Sequence, residues 1–183
     1  NSEVVQSFTK ALAPDLIMVS GTQLVKKSTL RASFGTRIMN LQTGLSPYIR
    51  GGPNCTNWCI ATSQFHLIGN TVMWIDEGID SGNLITTELT PLNGDESLQE
   101  IHFKVMEHAH DLYVRGLKKV AVADDAGQAG VKQADLAKGV TYYTRQWGLA
   151  EKIRLVRNLK HFHRSSRNGE TAAKKKLVKT VEI

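Results

Sequence analysis

No apolar run in these 183 residues approaches the roughly 18 needed to cross a bilayer as a helix, and no leader of basic, apolar and small residues opens the chain. Export and membrane partners are therefore not expected, and the expected location is cytoplasmic. Cysteine is scarce too: only Cys55 and Cys59 occur, four apart in "PNCTNWCIATS". Two thiols without neighbouring ligands make a poor zinc site, so they read as reduced cysteines sharing a helix face. Repeats and internal linkers are lacking as well. What remains, at 41% hydrophobic and 22% charged residues, has the make-up of one ordinary domain with a real core.

Net positive charge is missing from most of the chain. From Arg154 onward nine lysines and arginines face only Glu170 and Glu182, so this segment carries +7 of a net +6 and the rest is slightly acidic. A basic tail can bind nucleic acid or acidic lipid. Yet "KHFHRSSRNGETAAKKKLVKTVEI" holds one aromatic and no RNA-binding motif. The expectation is a solvated, partly mobile tail, with nucleic acid a disfavoured partner.

Periodicity gives the class. Val4, Val5, Phe8 and Leu12 fall at helical spacing, Ala13-Pro14-Asp15 breaks the pattern, and the run Leu16-Ile17-Met18-Val19 follows as a buried strand. An α/β sheet rarely opens on such a half unit. An N-terminal portion is therefore expected to be missing, and the expected macromolecular partner is that portion or a second copy. Further strands are expected at about 36–40, in "HLIGNTVMWID" and in "LITTEL". A short helix is expected over 27–32, and Gly51-Gly52-Pro53 is expected to start another, proline suiting a first helical turn. The long helix that follows is expected to be capped by Asp95 and to bury Leu98, Ile101, Val105, Ala109 and Leu112. "GVTYYTRQW" is extended, and Leu149 to about Phe162 forms a last helix. Strands and helices interleave, so the class is α/β with a mainly parallel sheet flanked by helices.

Two loops follow strands, where α/β sheets hold their ligands: 40–52 and 76–82. Asn40 and Gln42 end a strand two residues apart, so both amides emerge on one side. "DEGIDSG" places Asp76 and Asp80 around Gly78, but without the ligand alternation and terminal glutamate of a calcium loop. No metal is expected there. An acidic surface turn is the plain reading. A carboxylate facing paired amides is the alternative, and it is the equipment of acyl transfer.

"MNLQTGLSPYIRGGPN" followed by "HLIGNTVMWIDEGIDSGNLI" resembles the core of the formyltetrahydrofolate-dependent formyltransferases. That family includes glycinamide ribonucleotide transformylase, methionyl-tRNA formyltransferase and the sugar-nucleotide N-formyltransferases. The resemblance runs from about Pro14 to Leu117 and rests on three pieces in order: "PDLIMVSGTQLV", the asparagine loop and the aspartate turn. It implies a Rossmann-like formyltransferase fold lacking its first strands. Residues 1–150 would be the C-terminal part of the catalytic domain, and 151–183 a helix and basic tail. It also implies formyltetrahydrofolate as co-substrate, Asn40 and Asp80 as catalytic residues, and a pterin pocket along Gly21, Thr22, Gln23, Val25, Lys26, Asp76, Glu77 and Gly78.

One departure matters. The family pattern is Asn-x-His, and Gln42 stands at the histidine position. Glutamine donates a hydrogen bond but has no proton to exchange near neutral pH. Losing acid–base help slows a reaction about 10²–10⁴-fold, so a slow enzyme is expected unless another proton carrier serves; His66 is the nearest spare imidazole. "TGLSPYIRGG" reads closer to the sugar-type members, which implies a small amine acceptor such as an amino sugar nucleotide. The alternatives are a catalytically impaired or silent folate or nucleotide binder, and a hydrolase releasing formate from the same co-substrate.

Overall fold

The computed structural model describes residues 2–22, 24–33, 35–78, 80–123 and 129–182. Helix α1 (Glu3–Leu12) leads into strand β1 (Leu16–Ser20), α2 (Lys27–Ala32) and β2 (Arg37–Gln42). After β3 (Ile49–Gly51) and α3 (Cys55–Ala61), a hairpin of β4 (Gly69–Trp74) and β5 (Leu84–Leu89) precedes the long helix α4 (Leu98–Val122). The C-terminal third adds α5 (Gln133–Leu136), β6 (Val140–Tyr142), α6 (Leu149–Arg167) and α7 (Glu170–Lys175).

The main sheet runs β1-β2-β4-β5, and β3 with β6 makes a second, two-stranded ribbon. β1 and β2 pair in parallel, as do β3 and β6, whereas β4 pairs antiparallel with both β2 and β5. The α/β architecture expected from the interleaved pattern is present, with a mixed sheet. The β4–β5 pair follows from connection length: the short acidic turn between these strands can only double back.

Alternation along β2 decides where the site lies. Met39 and Leu41 are buried in a cluster with Val72 and Trp74 of β4 and with Ala109, Leu112 and Tyr113 of α4. Successive strand side chains point to opposite faces, so Ile38, Asn40 and Gln42 emerge on the side away from α4. A second cluster joins Leu45, Ile49, Trp58 and Ile60 to Leu155 and Phe162 of α6. The last long helix thus shares a core with α3 and the β2–β3 loop.

Two helix starts differ from expectation. Ser97, not Asp95, caps α4: its hydroxyl accepts from Glu100 N–H while the Glu100 carboxylate takes Ser97 N–H at 2.8 Å. This reciprocal box satisfies two donors that Asp95, two residues too early, does not reach. α3 begins at Cys55 behind Asn54, whose Oδ1 accepts Asn57 N–H at 2.9 Å. Pro53 therefore lies just outside the helix.

The basic tail is also more structured than expected. After α7 the chain runs beside β5, where Thr87 N–H donates to Val181 O and Val181 N–H to Thr87 Oγ1. β5 is the outer strand of the sheet on that side, and its unpaired backbone groups offer a ready template for an extended segment.

Candidate active site

At the carboxyl end of β2 a cavity of about 590 Å³ opens among the β1–α2 loop, the β2–α3 segment, the β4–β5 turn and β6. Asn40, Gln42 and Asp80 all line it, together with Gly21, Thr22, Val25, Asp76 and Gly78. Lys26 and Glu77 fall outside the lining. Lys26 is exposed and opens α2 with its carbonyl, and Glu77 pairs with Lys27 at the surface. Gln23 lies outside the described residues. His66 is not in the lining either; it sits in the short 3-10 turn Phe65–Leu67, its pKa lowered by burial and by the charge of Lys174. Among the described residues no histidine lines the cavity.

The acidic turn holds its shape through its own side chains. Asp76 Oδ1 accepts Gly78 N–H at 2.9 Å and Ser81 O–H at 2.7 Å. Gly82 packs so closely that a Cβ there would lie 1.9 Å from Trp74 O. Asp80 itself adopts φ +49°, a left-handed conformation that aspartate tolerates better than most residues. Its Oδ2 accepts Gly51 N–H at 3.0 Å. Gly51 in turn has φ +88°, and a Cβ there would collide with Tyr142 O at 2.0 Å. Glycine is required at that position for the β3–β6 ribbon to deliver its N–H to the carboxylate.

Burial pushes the Asp80 carboxyl above the ordinary carboxylate range. The Gly51 N–H, the Gln42 amide and the Arg50 charge pull it back, and Asp76 adds to the rise. Gln42 Nε2 also donates to Cys55 Sγ at 3.6 Å. The Cys55 thiol is pushed up to about 12, chiefly by burial, so it stays protonated and is no nucleophile. Cys59, also buried, is shifted in the same direction. Gln42 is thus a donor tethered between a thiol and the Asp80 carboxylate, and Asp80 shares the cavity lining with Asn40 and with a second carboxylate, Asp76.

Sequence reasoning did not anticipate that 53–55 and Tyr142, Tyr143 and Thr144 complete the walls. The extended segment "GVTYYTRQW" was visible, but not its pairing with β3, which spans some ninety residues of chain. Among the described residues no group of three His, Cys, Asp or Glu side chains converges as a metal site.

Comparison with known proteins adds three findings. Residues 1–117 match the family model described as formyl transferase. Over 102 residues the chain is 37% identical to a methionyl-tRNA formyltransferase of Geotalea uraniireducens (strain Rf4), covering 55% of this chain and 31% of that one. The chain thus spans about a third of the length of the curated relatives it matches. Among solved structures, a sugar N-formyltransferase from Shewanella sp FDAARGOS_354 superposes with TM-score 0.66 at 18% identity, covering 86% of this chain and 65% of that one. The formyltransferase PseJ from Anoxybacillus kamchatkensis superposes at 0.59 and 18% identity, over 72% and 66% of the two chains. It was solved with UDP-4,6-dideoxy-4-formamido-L-AltNAc and tetrahydrofolate.

Proposed function

The chain belongs to the formyl transferase family, and from that premise we propose that it moves a formyl group from formyltetrahydrofolate to an amine, with Asn40 and Asp80 as the catalytic pair. One observation carries the reading: Asn40, Gln42 and Asp80, from two separate strand ends, line a single cavity. A cavity of about 590 Å³ suits a ligand of this class, since small-molecule sites span about 300–1,000 Å³. The lining fits a folate. Leu24, Val25 and Ile75 offer apolar surface, while the backbone of Gly21, Thr22 and the turn from Asp76 offers hydrogen-bonding edges.

In the proposed reaction the acceptor nitrogen attacks the formyl carbon, the new C–N bond forms, and the bond to the folate nitrogen breaks. Negative charge gathers on the formyl oxygen, where the Asn40 amide donates; one such donor is worth about 10²–10³ in rate. The acceptor nitrogen gives up its proton to Asp80, and the departing folate nitrogen takes one up. A carboxylate held above its ordinary pKa is the better base for that step. Gln42 supplies the donor half of the family histidine's work and orients Asp80, but moves no proton.

The acceptor we propose is a small amine such as an amino sugar nucleotide. PseJ, solved with a formamido sugar nucleotide, offers an analogy, and the tail after residue 150 builds a helix on the α3 core. Gln42 favours one second reading, a folate binder with little or no turnover. The test is transfer of isotope-labelled formyl from formyltetrahydrofolate to a panel of an amino sugar nucleotide, a small primary amine and methionyl-tRNA. Free formate is measured alongside. A labelled formamide product supports transfer. Formate alone points to hydrolysis, and folate binding without either product points to the silent binder.

A further inference from the structure

Gln133 lies fifty-three residues beyond Asp80, outside the segment matched by the family model, and nothing in its sequence surroundings marks it. In the fold it is buried, at 7% exposure, and its side chain is fully engaged. Nε2 donates to Asp80 O at 2.7 Å and to Gly82 O at 2.8 Å. Oε1 accepts from Arg50 Nη1 at 3.3 Å. One amide therefore spans the catalytic turn on both sides of Ser81 and ties it to β3.

The segment that carries Gln133 is itself fastened to the same turn. Val131 and Leu84 exchange two backbone hydrogen bonds of 2.8 Å, and Asn83 Nδ2 donates to Ala129 O at 2.9 Å. Helix α5, only four residues long, would not hold a side chain in place alone; these three ties do. Asp80 needs such support. Its left-handed backbone is strained for a residue with a side chain, and removing the amide takes this donor from the part-buried Asp80 carbonyl and the buried Gly82 carbonyl.

We propose that Gln133 is a positioning residue for formyl transfer, clamping the turn so that the Asp80 carboxylate stays on the Gly51 N–H and beside Asn40 and Gln42. The inference rests on the reading of Asp80 as the proton acceptor. Displacing a reacting group by about 1 Å can cost on the order of 10² in rate, so a clamp of this kind is worth having. Other charged or titratable groups act on Asp80: Arg50 from β3, Asp76 from the same turn and the Cys55 thiol from α3. None of them touches the carbonyls that Gln133 holds.

The test uses Gln133→Met, which keeps the length and removes both donors, in the full chain. Without any folate, hydrogen exchange of the Gly51 amide should quicken at least roughly tenfold while amides of β4 keep wild-type protection. In the transfer assay turnover should fall at least roughly tenfold. The acid limb of the pH–rate profile should move towards the ordinary carboxylate range as Asp80 gains solvent. A role confined to global stability would speed exchange in β4 equally and leave the limb where it is, and that result overturns the proposal. If Gln133→Met does not fold, Gln133→Glu, which still accepts from Arg50 but cannot donate, carries the exchange and turnover readouts; the pH limb is not read in that variant, because an added carboxylate raises the Asp80 pKa as Asp76 does. Failure of both to fold overturns the proposal too, because the clamp would then serve the fold and not the turn. Asp80→Asn separates the two ideas. Unchanged turnover in that variant sinks the parent reading, whereas a dead Asp80→Asn with a normal Gln133→Met sinks the clamp alone.

Discussion

Asp80 accepts a backbone N–H at 3.0 Å and still has its pKa raised, because burial outweighs every group that favours its charge. The consequence for stability has a definite sign. A carboxyl whose folded pKa lies above its unfolded value favours the fold most when protonated. Stability is greatest below the unfolded pKa and declines as pH rises through the folded one. Asp80→Asn mimics the protonated form, so its melting temperature should exceed wild type at pH 8, with the gain vanishing near pH 4. Turnover should drop about 10²–10⁴-fold; a melting difference that grows on acidification would contradict the assignment. Gln42 supplies a second prediction at this scale. Gln42→His places an exchangeable proton between Cys55 and Asp80 and should raise kcat at least roughly tenfold. An unchanged kcat would mean that proton transfer at this position does not limit the reaction.

Single elements carry the geometry, and they differ in how legible they were. β2 was readable because its period-two pattern separates Met39 and Leu41 from Asn40 and Gln42, and a hydrophobic face leaves little freedom of register. The acidic turn was readable from Gly78 and Gly82. The β3–β6 ribbon was not, since three-residue strands have too short a pattern to register and their pairing depends on distant chain. The clamp on Asp80 was invisible for the same reason: a single glutamine on a four-residue helix has no periodicity. Asp95 reads as the cap because an aspartate before an apolar run is itself a good one, and only the Glu100 carboxylate reaching back decides for Ser97. The ribbon gives the third prediction. Gly51→Ala combines a left-handed φ with a backbone collision and should destabilise the fold by at least about 1–3 kcal/mol, slowing turnover as the Asp80 contact is lost. An unchanged urea midpoint would show that the ribbon yields easily.

At the scale of the molecule, one flank is apolar and uncovered among the described residues. Val4, Phe8 and Leu12 of α1 are 78%, 65% and 60% exposed, and Met18 of β1 is 43% exposed. β1 also forms the outer strand of the sheet on that side, whereas the opposite outer strand, β5, is covered by the tail at Val181. An open edge beside an apolar helix face invites pairing with further chain or another copy. The 183-residue chain should therefore associate as its concentration rises, as seen by sedimentation velocity, and Phe8→Ser with Leu12→Ser should weaken that association. A monomer at every concentration would contradict this. The tail is largely exposed, as its composition suggests, but its run beside β5 was not legible, because that anchoring relies on two threonines more than ninety residues away. The proposed formyl transfer is a property to be read on the whole molecule, and one assay bears on that proposal most directly: passage of labelled formyl from formyltetrahydrofolate to an amine, run on wild type, Asn40→Ala and Asp80→Asn. Labelled formamide should form with the wild-type protein and fall at least roughly a hundredfold in each variant. Product formed equally by all three, or by none while folate still binds, would remove the catalytic pair.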